Sequence, residues 1–266
     1  MVCALAVDGK RYGVQCIPVR GSKNSQNIEI FQVMVRDGAK LVMGRDVPSV
    51  LKANPRLQTQ VVELPKLALH PAFDTWPEVI QTRQVLSSNH ERGTLQELFE
   101  DLFGCIRRDI LSYFQKNSKD SSIDFNNIPM IFQVSVPSMW GDQQTGIVRN
   151  AAHQEGIRLE LRDEALCAST AAMLEMFKSR QIKLDQSVLM LDVGGGTSDA
   201  ATCMLIQEPA DDQEMGLQRM GPSSGTPTGS HMLNNELKKY IASGLCPAVP
   251  DLQEACKGLG MTQMES

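Results

Sequence analysis

The sequence predicts an α/β fold, and two observations carry that prediction. Between residues 129 and 206, strand-like and helical runs alternate as strand, helix, strand, helix, strand, turn, strand, the order of layered α/β domains. Within it, Ser187 to Ala201 reads S-V-L-M-L-D-V-G-G-G-T-S-D-A-A. Val188, Leu189, Met190 and Leu191 make the apolar run of a buried strand. Gly194, Gly195 and Gly196 can take positive φ and let a ligand touch the backbone. Their N–H groups can converge into an anion nest, with the Thr197 hydroxyl beside them. Asp192 and Asp199 flank the nest, which suits a hydrated Mg²⁺ between carboxylate and phosphate. A plain hairpin is the simpler reading of a triple glycine, and it stays open at this point. No G-x-x-x-x-G-K-[ST] occurs, nor a G-x-G-x-x-G opening a helix, so P-loop and dinucleotide folds fit less well.

Composition narrows the classes. The chain has 266 residues, 42% hydrophobic and 21% charged, enough to bury a core in one large or two smaller domains. A net charge of −5 without a basic block argues against nucleic acid or an anionic membrane surface as main partner. No apolar run is long enough to span a bilayer, and the N-terminus lacks the pattern of a signal peptide. Seven cysteines lie scattered without a C-x-x-C pair, an inventory expected of a reduced, cytoplasmic protein. Cys167 and Cys203 sit in apolar segments and are expected in the core.

Taken in order, Val2–Val7 and Gly13–Val19 read as short strands around Asp8-Gly9, a hairpin signal. Ile28 to Val35 and Lys40 to Met43 form a second pair about an R-D-G turn. Asp46 is placed to cap a helix carrying Val47, Val50 and Leu51, closed by Pro55. Lys66 is the one cation in V-V-E-L-P-K-L-A-L-H-P-A-F-D, and by itself reads as a solvent-facing loop lysine. Thr94 to Gln115 is the clearest helix: Thr94 and Glu97 form a capping box, and Leu95, Leu98, Phe99, Leu102, Phe103, Ile106 and Ile110 share one face. Pro129 to Pro137 is a strand. Asp142 is expected to cap a helix over 143–155 that ends at Gly156. A short strand over Ile157–Leu161 and a helix over Glu164–Arg180 lead to the glycine turn. After it come an acidic loop, a flexible G-P-S-S-G-T-P-T-G-S stretch, and a last helix over Leu233–Ala242.

Five stretches, in order, resemble the nucleotide-binding domain of the seventy-kilodalton heat-shock chaperone family. They are R-D-G-A-K-L-V-M-G with L-K-A-N-P, the segment holding Lys66, V-S-V-P-S-M-W at 134–140, D-E-A-L-C-A-S-T-A-A-M at 163–173, and L-D-V-G-G-G-T-S-D. Further on, G-S-H-M-L-N at 229–234 resembles a later family motif, with Ser230 in place of its second glycine. Trp140 and the K-L-A-L-H-P wording are similar to divergent relatives widespread in fungi. The resemblance covers roughly residues 28 to 242 and implies an actin-like (ribonuclease-H-like) ATPase fold of two lobes, with residues 1–180 in the first and 181–266 opening the second. It also implies a domain clipped at both ends. The family's first phosphate loop has only V-D-G-K-R-Y-G-V at 7–14 as its counterpart here, without the threonines.

The resemblance further implies a chemistry. Gly194 to Thr197 and Gly229 would bind ATP or ADP, the turn through its phosphates, while Asp192 and Asp199 order the water shell of Mg²⁺. Lys66 would stabilise charge on the transferred phosphoryl group and its attacking water, and Glu164 would hold a metal-bound water or take its proton. Nucleotide is the implied partner, with unfolded client proteins reached through a domain this chain lacks or a co-chaperone. Three activities stay open: an ATP-binding, chaperone-like ATPase weakened by the lost loop; a non-catalytic relic or regulatory module of the same fold; and a small-molecule kinase of the same superfamily.

Overall fold

A computed structural model describes residues 2–7, 10–16, 33–37, 40–88, 93–117, 131–208 and 215–244. It is a mixed α/β protein of two compact units, residues 1–134 with 140–161, and residues 135–139 with 162–266. The helix following Asp163 packs on the strands that come after it and so belongs with the second unit.

The first unit begins with β1 (Val2–Val7) and β2 (Lys10–Cys16), antiparallel with Val7 opposite Lys10. β2 starts three residues before the strand expected at Gly13, and Asp8 lies outside the described residues. Next, β3 (Val33–Asp37) lies between β4 (Lys40–Met43) and β5 (Val61–Glu63), antiparallel to both. Period-two alternation divides its side chains. Val35 and Val42 turn toward Val47 and Leu57, beside α1 (Val47–Ala53). Met34, Leu41 and Val62 meet Leu86 and Leu98 on α2 (Pro77–Ser88) and α3 (Leu95–Asn117). On that second face Arg36 pairs with Asp101 of α3. Asp46 does hold the cap position of α1, but makes no capping bond. It already has helical angles, because a 3₁₀ turn over Gly44–Asp46 runs straight into the helix.

α3 starts as its sequence requires. Glu97 N–H donates to Thr94 Oγ1 at 3.2 Å, and Thr94 N–H donates back to Glu97 Oε2 at 3.0 Å. Its Phe99 and Phe103 bury against Val148, Ala151 and Ala152 of α4 (Asp142–Gln154), with Phe132 and Leu159 of the β6–β7 pair at the margin. β6 spans Ile131–Val136 and β7 spans Arg158–Asp163. The N-cap of α4 is Gly141 rather than the expected Asp142, and the Gly141 N–H is taken by Gln144 Oε1 at 3.0 Å. Gly156 ends that segment with φ +68°, a conformation that needs glycine.

The second unit is built on α5 (Glu164–Lys178), β8 (Ser187–Val193) and β9 (Ser198–Gln207). β8 lies along one side of β9. β10 (Gly216–Arg219) and β11 (Ser224–Thr226) pair with the other side, all antiparallel to β9. α5 covers one face, where Met173, Ile182, Cys203 and Leu205 form the core. β8 is therefore not a strand buried on both faces. Val188 and Met190 face the α5 side, whereas Leu189, Leu191 and Val193 are each more than 60% exposed on the other. Cys203 is in the core as expected, but Cys167 is exposed on α5. The stretch expected to be flexible carries β11, and α6 (Ser230–Gly244) follows it.

Candidate functional site

The connection from β8 to β9 is Gly194–Thr197, with Gly194 N–H donating to Thr197 O at 2.9 Å. None of its three glycines adopts a positive φ. Conformational freedom is therefore not the reason for them, contrary to the expectation from sequence. Close approach is the reason on one side. Gly229 is buried against the turn, and a Cβ there would lie 2.4 Å from Gly195 O and 2.7 Å from the Gly196 carbonyl carbon. On the other side lies open space: a Cβ at exposed Gly195 would meet nothing within 4 Å.

Because Gly229 comes so close, the start of α6 reaches the turn. Ser230 N–H donates to Gly194 O at 2.9 Å, and His231 N–H donates to Gly195 O at 2.8 Å. Two donors that a helix start leaves without intrahelical partners are thereby satisfied. The bonds also orient the turn. In a planar trans peptide the carbonyl and the N–H that follows point in opposite directions. With the Gly194 and Gly195 carbonyls on α6, the N–H groups of Gly195 and Gly196 face away from it. No hydrogen bond among the described residues uses either of those N–H groups. Two successive backbone N–H groups on one side of a turn are the elements from which an anion-binding concavity is made, here without the αR–αL pairing, since neither glycine has a positive φ.

The carboxylates sit at the root of this turn. Asp192 and Asp199 are directly opposite in register, so both project on the α5 face. Like charges so placed repel each other, and one of the two is compensated by the fold. Asp199 is only 3% exposed, and its Oδ1 accepts the Ser138 N–H at 2.8 Å. Across β11, Gly225 is Asp199's register partner, and a Cβ there would come within 2.5 Å of Oδ1. Thr197 is buried as well, which anchors the turn in the sheet.

Within the second unit the structure thus brings together Asp192, Gly194–Thr197, Asp199 and Gly229. Glu164, half-buried, is the first residue of α5, whose cap is the Asp163 side chain accepting Leu166 N–H at 3.0 Å. Lys66 belongs to the first unit. Its segment is tied down by α2: Thr82 Oγ1 donates to Glu63 O and accepts Glu63 N–H, and Arg83 donates to Ala68 O and to Asp74 Oδ1. Leu64 bends the chain there with φ +49°. Sequence reasoning missed Ser138, Gly225 and the backbone donors of Ser230 and His231. Only Gly225 left a trace, as an isolated glycine in a serine- and threonine-rich run.

Two carboxylates do not make a metal cage, and among the described residues no cluster of three or more His, Cys, Asp or Glu could hold an ion. Two acids would suit Mg²⁺ only together with a phosphate, since that ion keeps most of its waters and takes its other ligands from phosphate. The Cys167 thiol is held above its ordinary range by partial burial and by the Asp163 carboxylate. Among the described residues no helix is long and apolar enough to cross a membrane. No family model matches the chain, and no curated protein matches it.

Proposed function

We propose that the second unit binds the phosphate end of a nucleotide, ATP or ADP with Mg²⁺, on the open side of the Gly194–Thr197 turn. On this reading the chain is an actin-like ATPase domain of the heat-shock-chaperone type, active in binding, with turnover at or near background. One observation carries the proposal: the Gly195 and Gly196 N–H groups face away from α6 and make no hydrogen bond among the described residues, and a Cβ at exposed Gly195 would meet nothing within 4 Å. A bare hairpin accounts for the turn but not for that vacancy of side chains.

In this reading Gly195 and Gly196 donate to phosphate oxygens, and Asp192 and Asp199 hold Mg²⁺ through its water shell. The bound ion would neutralise phosphate charge. Asp199 is fixed for that task by the Ser138 N–H, and Asp192 supplies the second carboxylate. Glu164, the first residue of α5 in the same unit, stands as an acting group of any residual hydrolysis, and the part given to Lys66 rests on the sequence resemblance alone. A single nest holds a phosphate chain from one side only. Each well-placed donor lost from a transition state costs about 3–4 kcal/mol, so an ATPase with half its donors binds far better than it turns over.

Isothermal titration of the whole chain with MgATP tests the proposal. Weak, Mg²⁺-dependent binding is expected, reduced by Asp192→Asn and lost in Gly195→Val, whose added side chain fills the space beside the N–H groups. Equal binding by wild type and Gly195→Val would sink it.

A further inference from the structure

Among the described residues, the hydrogen bonds that turn the Gly194 and Gly195 carbonyls inward come from one place, the first turn of α6. We infer that Gly229 and the backbone N–H groups of Ser230 and His231 are the positioning elements of the phosphate turn, an assignment that rests on the reading of that turn as an anion site. The carbonyls of Gly194 and Gly195 are turned inward by donors at 2.9 Å and 2.8 Å, and the peptide planes carry the two following N–H groups outward with them. Gly229 makes this geometry available. Any side chain at 229 would overlap the backbone of Gly195 and Gly196, at 2.4 to 2.7 Å. The start of α6 is therefore not itself the anion site, although helix N-termini commonly are. Its first donors are spent on the turn, and the anion meets the turn's N–H groups instead.

The same segment is tied to β9 a second time. Ser198 Oγ donates to Thr228 O, and Thr228 immediately precedes Gly229. β9, the 226–229 connection and the α6 start thus hold the turn as one unit. The role of Ser230 lies in its N–H alone, because its side chain is exposed and makes no bond among the described residues. That separates positioning from folding. Ser230 is the first residue of α6, the helical position where proline is best tolerated. Proline there leaves the helix standing, removes the donor and sets a ring carbon where Gly194 O now lies 2.9 Å from the nitrogen, so the carbonyl must move away.

The test is a titration of the whole chain with inorganic pyrophosphate and Mg²⁺, followed through the amide resonances of Gly195 and Gly196. In the wild type and in Ser230→Ala, which keeps the N–H, both resonances should move and saturate alike. In Ser230→Pro the spectrum should stay dispersed while affinity falls at least about tenfold, the upper range for one neutral hydrogen bond, because the ring also displaces the Gly194 carbonyl. In Gly229→Ala the two resonances should not respond. Equal affinity in Ser230→Pro and Ser230→Ala would overturn the positioning role and leave the anion site intact. Failure of the wild-type resonances to move would instead overturn the anion site, and the inference with it. Should Ser230→Pro lose its dispersed spectrum, the comparison passes to His231→Pro, which removes the second donor one residue into the helix. A folded His231→Pro chain with wild-type affinity would equally contradict the proposal.

Discussion

Replacing Gly225 by alanine adds one methyl group where the second unit has no room for it. The new Cβ would lie 2.5 Å from Asp199 Oδ1, 3.0 Å from Met139 N and 3.3 Å from Met139 Cβ. Two of these neighbours cannot move freely. Met139 N is backbone, and the Asp199 carboxylate is already held by the Ser138 N–H at 2.8 Å. Relief must come either from pulling β11 off β9 or from turning the carboxylate away from Ser138. Overpacking of this kind costs about 1–3 kcal/mol, and losing a charged hydrogen bond at a buried acid costs about 1.5–3 kcal/mol. Because one movement can relieve both, the expected loss is about 2–4 kcal/mol rather than their sum. Equilibrium urea unfolding of the whole chain, followed by circular dichroism, measures it. The double variant Gly225→Ala/Asp199→Ala should lose less than the two single variants added together, since the clash and the carboxylate are one interaction. A Gly225→Ala chain with wild-type stability, or strict additivity, would refute the packing argument.

Other outcomes follow from the same structure. Leu189, Leu191 and Val193 on β8, and Leu233, Leu237 and Tyr240 along α6, leave broad apolar surface on the second unit. The folded chain should bind a hydrophobic dye, and Leu189→Thr/Leu191→Thr should reduce the signal while shifting stability by no more than about 0.5 kcal/mol per site. Phe73, fully buried with its ring edge-on to Trp76 at 5.0 Å, should cost about 3–5 kcal/mol when cut to alanine, read as a shifted unfolding midpoint. Lys66→Ala should leave MgATP affinity nearly unchanged in calorimetry, and robust hydrolysis abolished by that substitution would restore a working ATPase. The Cys167 thiol, raised by burial and by Asp163, should react with iodoacetamide more slowly than a free thiol at neutral pH. Raising the pH should speed that reaction as the thiolate forms, and Asp163→Asn should speed it at fixed pH.

The elements that sequence made legible are those whose signals are local. The Thr94–Glu97 box and the apolar stripe behind it define α3 within a few residues, because cap and stripe need no information from elsewhere in the chain. The β8–turn–β9 unit was legible for the same reason. What covers β8 was not, since S-V-L-M-L-D-V reads the same whether one face is buried or two. α2 escaped notice because one of its buried positions is polar: Thr82 meets the backbone of Glu63, a contact with no periodic signature. β11 was hidden by composition. Gly and Ser signal loops, yet Gly225 is small because Asp199 leans across it from the next strand. The candidate site was found by its glycines for a partly mistaken reason, conformational freedom, where the structure shows close approach of Gly229 on one side and open space on the other.

The central claim is that the outward N–H groups of Gly195 and Gly196 hold phosphate. A crystal structure of the whole chain grown with Mg²⁺ and a non-hydrolysable ATP analogue tests it most directly. Phosphate oxygens are expected at about 2.7–3.2 Å from both nitrogens, with Asp192 and Asp199 reaching the metal through water. A nucleotide bound with its phosphates elsewhere, or a turn whose N–H groups face only solvent in the presence of saturating nucleotide, would contradict it.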